Sequence, residues 1–333
     1  AWDEQGTLSS LQPVARNDAH RMIEECMLCA NVATAGLIEQ AGLPGLYRVH
    51  EKPDEAKLTY LSNMLAQFGV SLDPSNHQVS ARDYQKILDQ VSTRPYAKAL
   101  QMVVLRSMKQ AIYSQENSGH FGLNYPAYGH FTSPIRRLAD LINHRLIKHL
   151  ISSDGSIPHL RRQLGSVSPE PYPYDSESME VLALAASQTE RRADGAVYEV
   201  LEWLKCEYLK QFLGEDFGGI ITSVTKFGFF VELDQLFVEG LVSLKSLSGG
   251  YYRFDAEHQR LHSDSSGVSF RLGDAVTVQI ADIHSEQGQV DFELLSHQPL
   301  ARGSKSTRKT RKRHDTTAKK GFRTKHKKPR RKG

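Results

Sequence analysis

The chain has 333 residues and a formal net charge of +4, from 42 Lys and Arg residues against 38 Asp and Glu residues. Its hydrophobic fraction of 39% is enough for packed cores, which excludes a wholly disordered chain. The longest apolar runs are far shorter than the about 18 residues of a membrane-spanning helix. Three cysteines cannot form a disulfide framework, and their small number predicts a reducing, cytoplasmic location.

The positive charge is concentrated at the C-terminus. Residues 301–333 contain 16 Lys and Arg residues and one acidic residue, which leaves 26 basic and 37 acidic residues in the rest of the chain. Such a composition predicts a disordered tail. Two interpretations remain open: a segment for solubility or localisation, or a segment that attracts nucleic-acid phosphates by releasing counterions. We favour the second, because the net charge of +15 exceeds what solubility requires.

Helical patterns dominate roughly the first 215 residues. Asn17 or Asp18 is suited to cap the first helix, and Pro134 is suited to the first turn of a later one. The predicted helices are 18–41, 53–68, 81–92, 96–112, 135–151 and about 176–213, with a loop over 152–174.

Short strands follow between about residues 216 and 297. Alternation predicts that Phe227, Phe229, Val231 and Leu233 share one face, and glycines separate the apolar runs. The predicted strands are 219–225, 228–234, 237–242, 274–283 and 289–295. Five strands of this size indicate a small OB-type barrel, so the chain is expected to be α+β.

The segment from His120 to Arg137 is the richest in chemically active side chains. It contains aromatic residues, two histidines, a Thr-Ser-Pro turn and the pair Arg136–Arg137. Placed near a helix N-terminus, Arg136 would add a planar donor to backbone N–H groups that favour an anion. A capped helix with a surface arginine is the alternative, and the spacing alone does not decide between them.

This segment resembles the signature of the RNB (ribonuclease II) family, in which a His-Phe-Gly-Leu element precedes Thr-Ser-Pro-Ile-Arg. Further stretches are similar to the family: 16–31, 105–111, Asp140–Arg145 and Glu190–Asp194. The barrel resembles the S1 RNA-binding domain. The resemblance implies a mainly helical C-terminal part of an RNB catalytic domain over 1–214, an S1 domain over 215–299 and a disordered basic tail over 300–333.

The implied activity is processive 3′→5′ hydrolysis of RNA to nucleoside 5′-monophosphates, with two Mg²⁺ ions bound by four aspartates. No Asp-x-Asp-Asp-like run occurs, and the family's cluster lies upstream of the region matched here. We therefore expect a fragment that lacks the cold-shock domains and the metal ligands. The alternative is that the isolated chain is an inactive RNA-binding module.

By motif position, the resemblance places the family's catalytic arginine at Arg136. It places at Glu24 a glutamate linked to the preference for RNA, which suggests contact with ribose 2′-OH groups. Arg137, His130, Tyr128 and His120 are weaker candidates for contact with the strand, since buried packing explains such residues equally well.

In the barrel, exposed aromatic rings can stack on RNA bases. We expect at least one of Phe227, Phe229 and Phe230 to be exposed, with Phe227 and Phe230 as the favoured pair. Tyr252 and Arg253 lie in a second aromatic and basic cluster that we also expect to contact RNA. Cys26 and Cys29 have metal-ligand spacing but no partner ligands nearby, so packing in the core is expected for both.

Overall fold

The computed structural model describes residues 8–12, 15–72, 79–94, 96–153, 171–248, 250–256 and 258–300. The predicted basic tail lies outside them, as does most of the predicted loop over 152–174. The described residues all belong to one compact unit, Ala1–Leu300. None of the helices in these ranges is long and apolar enough to cross a membrane.

Six α-helices occur among the described residues, and two short strands lie between them. The helices are α1 (Asp18–Ala41), α2 (Glu55–Ala66), α3 (Ala81–Val91), α4 (Ala97–Ser107), α5 (Leu138–Ser153) and α6 (Ser176–Leu209). Strands β1 (Tyr47–Val49) and β2 (Ile112–Ser114) pair antiparallel. The sequence predicted the six helices but missed both strands, because three residues are too few to show alternation.

Of the two candidate caps for α1, Asn17 and Asp18, the structure selects the first. Asn17 is the N-cap, and its side chain accepts a hydrogen bond from the backbone N–H of His20 at 3.0 Å. The ring of His20 accepts one in return from the backbone N–H of Asn17. Two backbone donors that the helix leaves unpaired are thereby satisfied.

Residues 216–298 form a closed five-stranded barrel, which confirms the predicted α+β fold. Its strands are β3 (Asp216–Thr225), β4 (Gly228–Leu233), β5 (Glu239–Ser243), β9 (Ala275–His284) and β10 (Gln289–Gln298). Phe229, Val231 and Leu233 fill the interior, where Cys206 and Leu209 at the end of α6 also pack. Along the chain, β5 and β9 are separated by a three-stranded sheet that the sequence did not predict. Its strands are β6 (Arg253–Asp255), β7 (Arg260–His262) and β8 (Ser269–Arg271).

The barrel and the helices share part of one hydrophobic core. Leu272, which follows β8, is buried with residues of α2, α3 and α4. Gly273 has a φ of 83°, and a Cβ at this position would lie 2.9 Å from Cβ of Tyr96. Glycine is required at this position, because the backbone is left-handed and leaves no room for a Cβ beside Tyr96. The barrel is therefore packed directly against the helices.

Three expectations about the helical part were wrong. The helix predicted over 96–112 ends at Ser107, and the helix predicted from Ile135 begins at Leu138. Cys26 and Cys29 are exposed, although core packing was expected. The buried residues of α1 all lie in its C-terminal half, from Asn31 to Ile38. The two cysteines precede this half, so the face they occupy does not enter the core.

Candidate nucleic-acid interface

A buried carboxylate organises the Thr-Ser-Pro turn. Asp140, fully buried in the first turn of α5, accepts hydrogen bonds from the backbone N–H of Ser133 at 2.7 Å and from Nε and Nη2 of Arg137 at 2.7 and 2.8 Å. Arg137 therefore forms a two-pronged pair inside the protein. The guanidinium of Arg137, a predicted RNA contact, is therefore already bound to Asp140.

Arg136 has the opposite environment. It lies in the turn before α5, and its backbone N–H donates to the carbonyl of Ser133. Its side chain is exposed and forms no hydrogen bond or ion pair with other described residues. The turn thus separates two adjacent arginines, one anchored inside and one available to an anion in solution.

Next to this turn, four side chains from distant parts of the chain form a polar network. Arg48 donates to Oε2 of Glu190 at 2.5 Å, and its guanidinium lies 4.7 Å above the ring of Tyr113. The hydroxyl of Tyr113 donates to Oε1 of Glu190 at 3.2 Å and lies 2.9 Å from Nδ1 of His130. Because the hydroxyl has one hydrogen and a carboxylate only accepts, Tyr113 accepts from Nδ1 of His130.

The predicted residues Tyr128, His120 and His130 are brought together in one ring cluster. The rings of His120 and His130 meet that of Tyr128 edge-on at 5.3 and 5.6 Å, and Tyr125 stacks on it at 6.0 Å. Tyr128 is buried, with its hydroxyl accepting from Nδ2 of Asn31 at 2.9 Å. Tyr125, only half-buried, is the more accessible tyrosine of the cluster.

Burial sets the protonation state of both histidines. Loss of solvation lowers the pKa of His120 to about 4, with further effects of His50 and Arg48. Loss of solvation and then the nearby charge of Arg137 lower the pKa of His130 to about 3. Both rings are therefore neutral near pH 7, where they offer hydrogen bonds and flat surfaces rather than positive charge.

Two asparagines fix the backbone of the same segment. Asn31 of α1 accepts from the backbone N–H of Phe131 at 2.9 Å, in addition to its bond to Tyr128. Asn143 of α5 donates to the carbonyls of Leu46 and His130, both at 2.9 Å. Contacts from two helices therefore hold the approach to Arg136 in one conformation.

Glu24 lies on the half-exposed N-terminal part of α1. Its Oε2 is 3.3 Å from Nη1 of Arg16, and both side chains are largely in contact with solvent. An ion pair of this kind contributes little to stability. Glu24 is therefore accessible, but it is not part of the ring cluster around Tyr128.

The aromatic residues at the start of β4 divide between core and surface. Phe229 is fully buried, Phe227 is 50% exposed and Phe230 is half-buried. The rings of Phe227 and Phe230 meet edge-on at 6.2 Å. Alternation placed Phe227 on the same face as Phe229, which is wrong, because β4 begins only at Gly228. The expectation that Phe227 is exposed is confirmed.

The second aromatic cluster of the barrel region is arranged differently from expectation. Tyr252 is buried in the barrel core, and its hydroxyl donates to the carbonyl of Ser248 at 2.9 Å. Only 5% of Tyr252 is exposed, and its ring lies beside that of Phe270, so it is not accessible to a base. The accessible ring is that of Tyr251, which is 78% exposed and precedes the exposed Arg253.

The Mg²⁺ ions implied by the resemblance require oxygen ligands gathered at one point. Among the residues that the structure describes, no group of three or more His, Cys, Asp or Glu side chains could hold a metal ion. The described residues therefore do not fit that group, and no step is assigned to a metal ion here.

Two family models match the sequence of this chain. The model of the RNB domain matches residues 2–153, and that of the S1 RNA binding domain matches residues 210–295. Residues 2–153 thus have the sequence of an RNB domain, and residues 210–295 have that of an S1 domain.

Curated proteins with a similar sequence include ribonucleases R from two bacteria. The chain is 42% identical over 310 residues to ribonuclease R of Vibrio cholerae, covering 93% of this chain and 37% of the relative. It is 43% identical over 314 residues to ribonuclease R of Escherichia coli, covering 94% and 38%. The chain thus spans about two fifths of the length of these relatives.

A solved structure has the same fold. The apo form of Mycoplasma genitalium RNase R matches with a TM-score of 0.77 at 24% identity, covering 88% of this chain and 44% of that one.

Sequence reasoning missed Arg48, Tyr113 and Asn31 as parts of the site. Glu190 was singled out only within a matching motif. These residues lie on four separate elements, and no local pattern links them. Asn31 and Glu190 lie in stretches similar to the family, whereas nothing in the sequence singles out Arg48 or Tyr113.

Proposed function

We propose that this chain supplies an RNA-binding surface and the phosphate-contacting Arg136 to a hydrolase that degrades RNA from its 3′ end and releases nucleoside 5′-monophosphates. The observation that carries the proposal is the exposed guanidinium of Arg136, which has no partner among the described residues and lies next to the anchored Arg137–Asp140 pair. The relatives named ribonuclease R support the activity. Structures of Mycoplasma genitalium RNase R with single-stranded and with double-stranded RNA support the substrate class.

In this proposal Arg136 binds oxygens of the scissile phosphate. Its planar fork matches two phosphate oxygens at once, and it stays charged at any pH at which RNA is intact. The hydrogen bonds of Asp140 to Ser133 and Arg137 fix the turn, so little reorganisation is needed when charge builds up on the phosphate. The neutral ring cluster beside it offers flat faces to the strand.

The other predicted contacts extend the RNA path. Phe227 and Phe230 stack on bases at the barrel, Arg253 contacts phosphates, and Glu24 contacts a ribose 2′-OH group. Buried Tyr252 and anchored Arg137 support the surface instead of touching RNA. The division into 1–214, 215–299 and 300–333, the Mg²⁺ requirement and the cytoplasmic location stay predictions.

The test replaces the matching segment of Escherichia coli ribonuclease R with this chain and follows a 5′-labelled single-stranded RNA. We expect progressive shortening from the 3′ end with release of mononucleotides. Arg136→Ala should lower turnover by roughly 10²–10³-fold, the range for removing one donor to developing charge, with little change in RNA affinity. Arg82→Ala, an exposed arginine on α3, is the matched control. A folded chimera that leaves RNA intact would contradict the proposed activity, and unchanged turnover in Arg136→Ala would contradict the assigned role.

The second candidate function, an RNA-binding module without hydrolytic activity, concerns the isolated chain. The purified 333-residue chain is incubated with labelled RNA and Mg²⁺. Binding without cleavage supports this function, and cleavage that Arg136→Ala abolishes refutes it.

A further inference from the structure

A groove lies between the barrel and two helices. Its floor is the outward face of β4 and β5, and its walls come from α4, α6 and the start of β10. Its volume is about 580 Å³, enough for one nucleobase and part of a ribose. Because the barrel packs directly on the helices, the two walls are at a fixed distance from the floor.

One end of the groove is aromatic. Phe227 and Phe230 line it from the barrel side, and Phe237, 42% exposed, lies at its rim. The ammonium group of Lys98 lies 4.5 Å from the centre of the Phe237 ring. This face of Phe237 is therefore occupied, which leaves Phe227 and Phe230 as the surface on which a base can stack.

The other end of the groove is acidic, and the pairing of β4 with β5 explains why. Glu232 lies directly opposite Glu239, and Phe230 lies opposite Leu241, so all four project from the same face. Lys98 forms an ion pair with Glu232 and neutralises it. The negative charge of Glu232 is thereby compensated, and repulsion between Glu232 and Glu239 across the strands is reduced.

Glu239 is oriented but not neutralised. The hydroxyl of Thr222, 5% exposed, donates to its Oε1 at 2.5 Å. Its second oxygen has no hydrogen-bond donor among the described residues. Glu239 is the diagonal neighbour of Phe230 across the strands, at about 7–8 Å, which is within reach of the far edge of a base stacked on that ring. The groove therefore presents a fixed hydrogen-bond acceptor to the edge of a stacked base.

A carboxylate accepts hydrogen bonds and donates none, so it distinguishes the four bases. Guanine offers N1–H and the N2 amino group side by side, which matches the two oxygens of a carboxylate. Adenine and cytosine offer one amino group beside an acceptor, and uracil offers a single N–H between two carbonyls. We propose that this groove is a base-selective RNA subsite in which Glu239 binds the Watson–Crick edge of guanine. The proposal rests on the proposed RNA-binding function and adds a preference to it.

The lining of the groove contains one cation that is suited to a phosphate, and the carboxylate of Asp291 belongs to the same lining. Arg106 lines the groove from α4, is exposed and has no ion-pair partner among the described residues. Lys205, also on the wall, is paired with Glu202 at 2.7 Å. Arg106 is thus placed to receive the phosphate that a stacked base brings with it.

The experiment measures binding of the 333-residue chain to fluorescent RNA hexamers by anisotropy, in EDTA to prevent any hydrolysis. Hexauridylate is compared with hexamers that carry one central guanosine, inosine, adenosine or cytidine. We expect the guanosine hexamer to bind about tenfold more tightly than hexauridylate, at the low end of what one bidentate contact supplies. Inosine retains N1–H but lacks the amino group, so it should lose most of this advantage.

Glu239→Gln keeps the shape of the side chain but replaces one acceptor with a donor, and it should remove the preference for guanosine without weakening the binding of hexauridylate. Glu293→Gln changes an exposed carboxylate on β10 that does not line the groove and should leave the preference intact. Equal affinities for all five hexamers, or stronger binding of a hexa-arginine peptide that Glu239→Gln weakens, would overturn the preference while leaving RNA binding itself intact. Failure of every hexamer to bind would instead overturn the proposed RNA-binding function.

Discussion

The Asp140→Asn substitution tests whether the buried carboxylate organises the turn that presents Arg136. In the native protein its two oxygens accept three hydrogen bonds at 2.7–2.8 Å, one from Ser133 and two from Arg137. The amide oxygen of asparagine keeps the acceptor role of Oδ1, but the amide nitrogen then faces the N–H donor of Arg137. One charge-assisted hydrogen bond is lost, and the guanidinium loses its counter-charge while it is 17% exposed.

Removing one partner of a fully buried pair costs about 3–5 kcal/mol, and the partial exposure of Arg137 places the expected cost near the lower value. With an unfolding entropy of about 2.1 cal/mol/K per residue, a loss of about 3 kcal/mol lowers the melting temperature of the unit Ala1–Leu300 by roughly 5 °C. The assay is thermal unfolding followed by circular dichroism. Asp18→Asn, at a fully exposed carboxylate in α1, should melt within about 1 °C of the native chain. If Asp140→Asn also melts that close to the native protein, the carboxylate does not organise the turn.

Three further predictions concern pH, the barrel and the tail. The pKa of His120 is about 4 in the folded chain, against an ordinary 6.5. Between pH 6.5 and pH 4 the unfolded chain therefore binds more protons than the folded one, so the free energy of unfolding should fall as the pH drops through this range. His120→Phe should flatten that loss in urea unfolding, and an unchanged slope would contradict the assignment. Phe229→Ala should destabilise the chain by about 3–5 kcal/mol, whereas Phe227→Ala should leave its melting temperature unchanged and weaken RNA binding by about 1–3 kcal/mol. Equal effects of the two would refute the division between core and surface. Deleting residues 301–333 should reduce the slope of log affinity against log salt, and an equal slope would show that the tail makes no phosphate contacts.

The barrel was predictable because its strands carry a clear alternation. Val276, Val278 and Ile280 point inward as their spacing requires, and the five predicted strands correspond to β3, β4, β5, β9 and β10. Pairing between β1 and β2 was not predictable, because Arg48 and Tyr113 are 65 positions apart and each strand has three residues. Contacts of this kind depend on tertiary packing, which leaves no periodic signal in a single sequence.

The start of α5 lies three residues after the position that the local signal predicts. Thr-Ser-Pro is a strong helix start, and from it we expected a helix that begins next to Pro134. In the structure the backbone N–H of Ser133 is taken by Asp140, seven residues later, and α5 begins at Leu138. The same carboxylate binds Arg137, whereas the guanidinium of Arg136 has no partner among the described residues. The resemblance implied the catalytic role for Arg136, and the hydrogen bonds of Asp140 give a structural reason why Arg137 is the anchored member of the pair.

A second buried carboxylate holds together the two ends of the segment β9–β10 beside the helices. Asp274 accepts hydrogen bonds from the backbone N–H groups of Arg271 and Leu300 at 3.0 and 2.9 Å, and from the ring of His297 at 3.0 Å. Leu300 and Leu272 pack into the core formed by α2, α3 and α4. The ends of this segment are therefore fixed to each other by Asp274 and to the helical part by the two leucines. Since β10 and α4 form opposite walls of the groove, a base stacked on Phe230 meets Glu239 and Arg106 at distances that the fold determines before RNA binds. Such preorganisation avoids the cost of ordering loops on binding, and it makes selectivity by a single carboxylate possible on an otherwise sequence-tolerant aromatic surface.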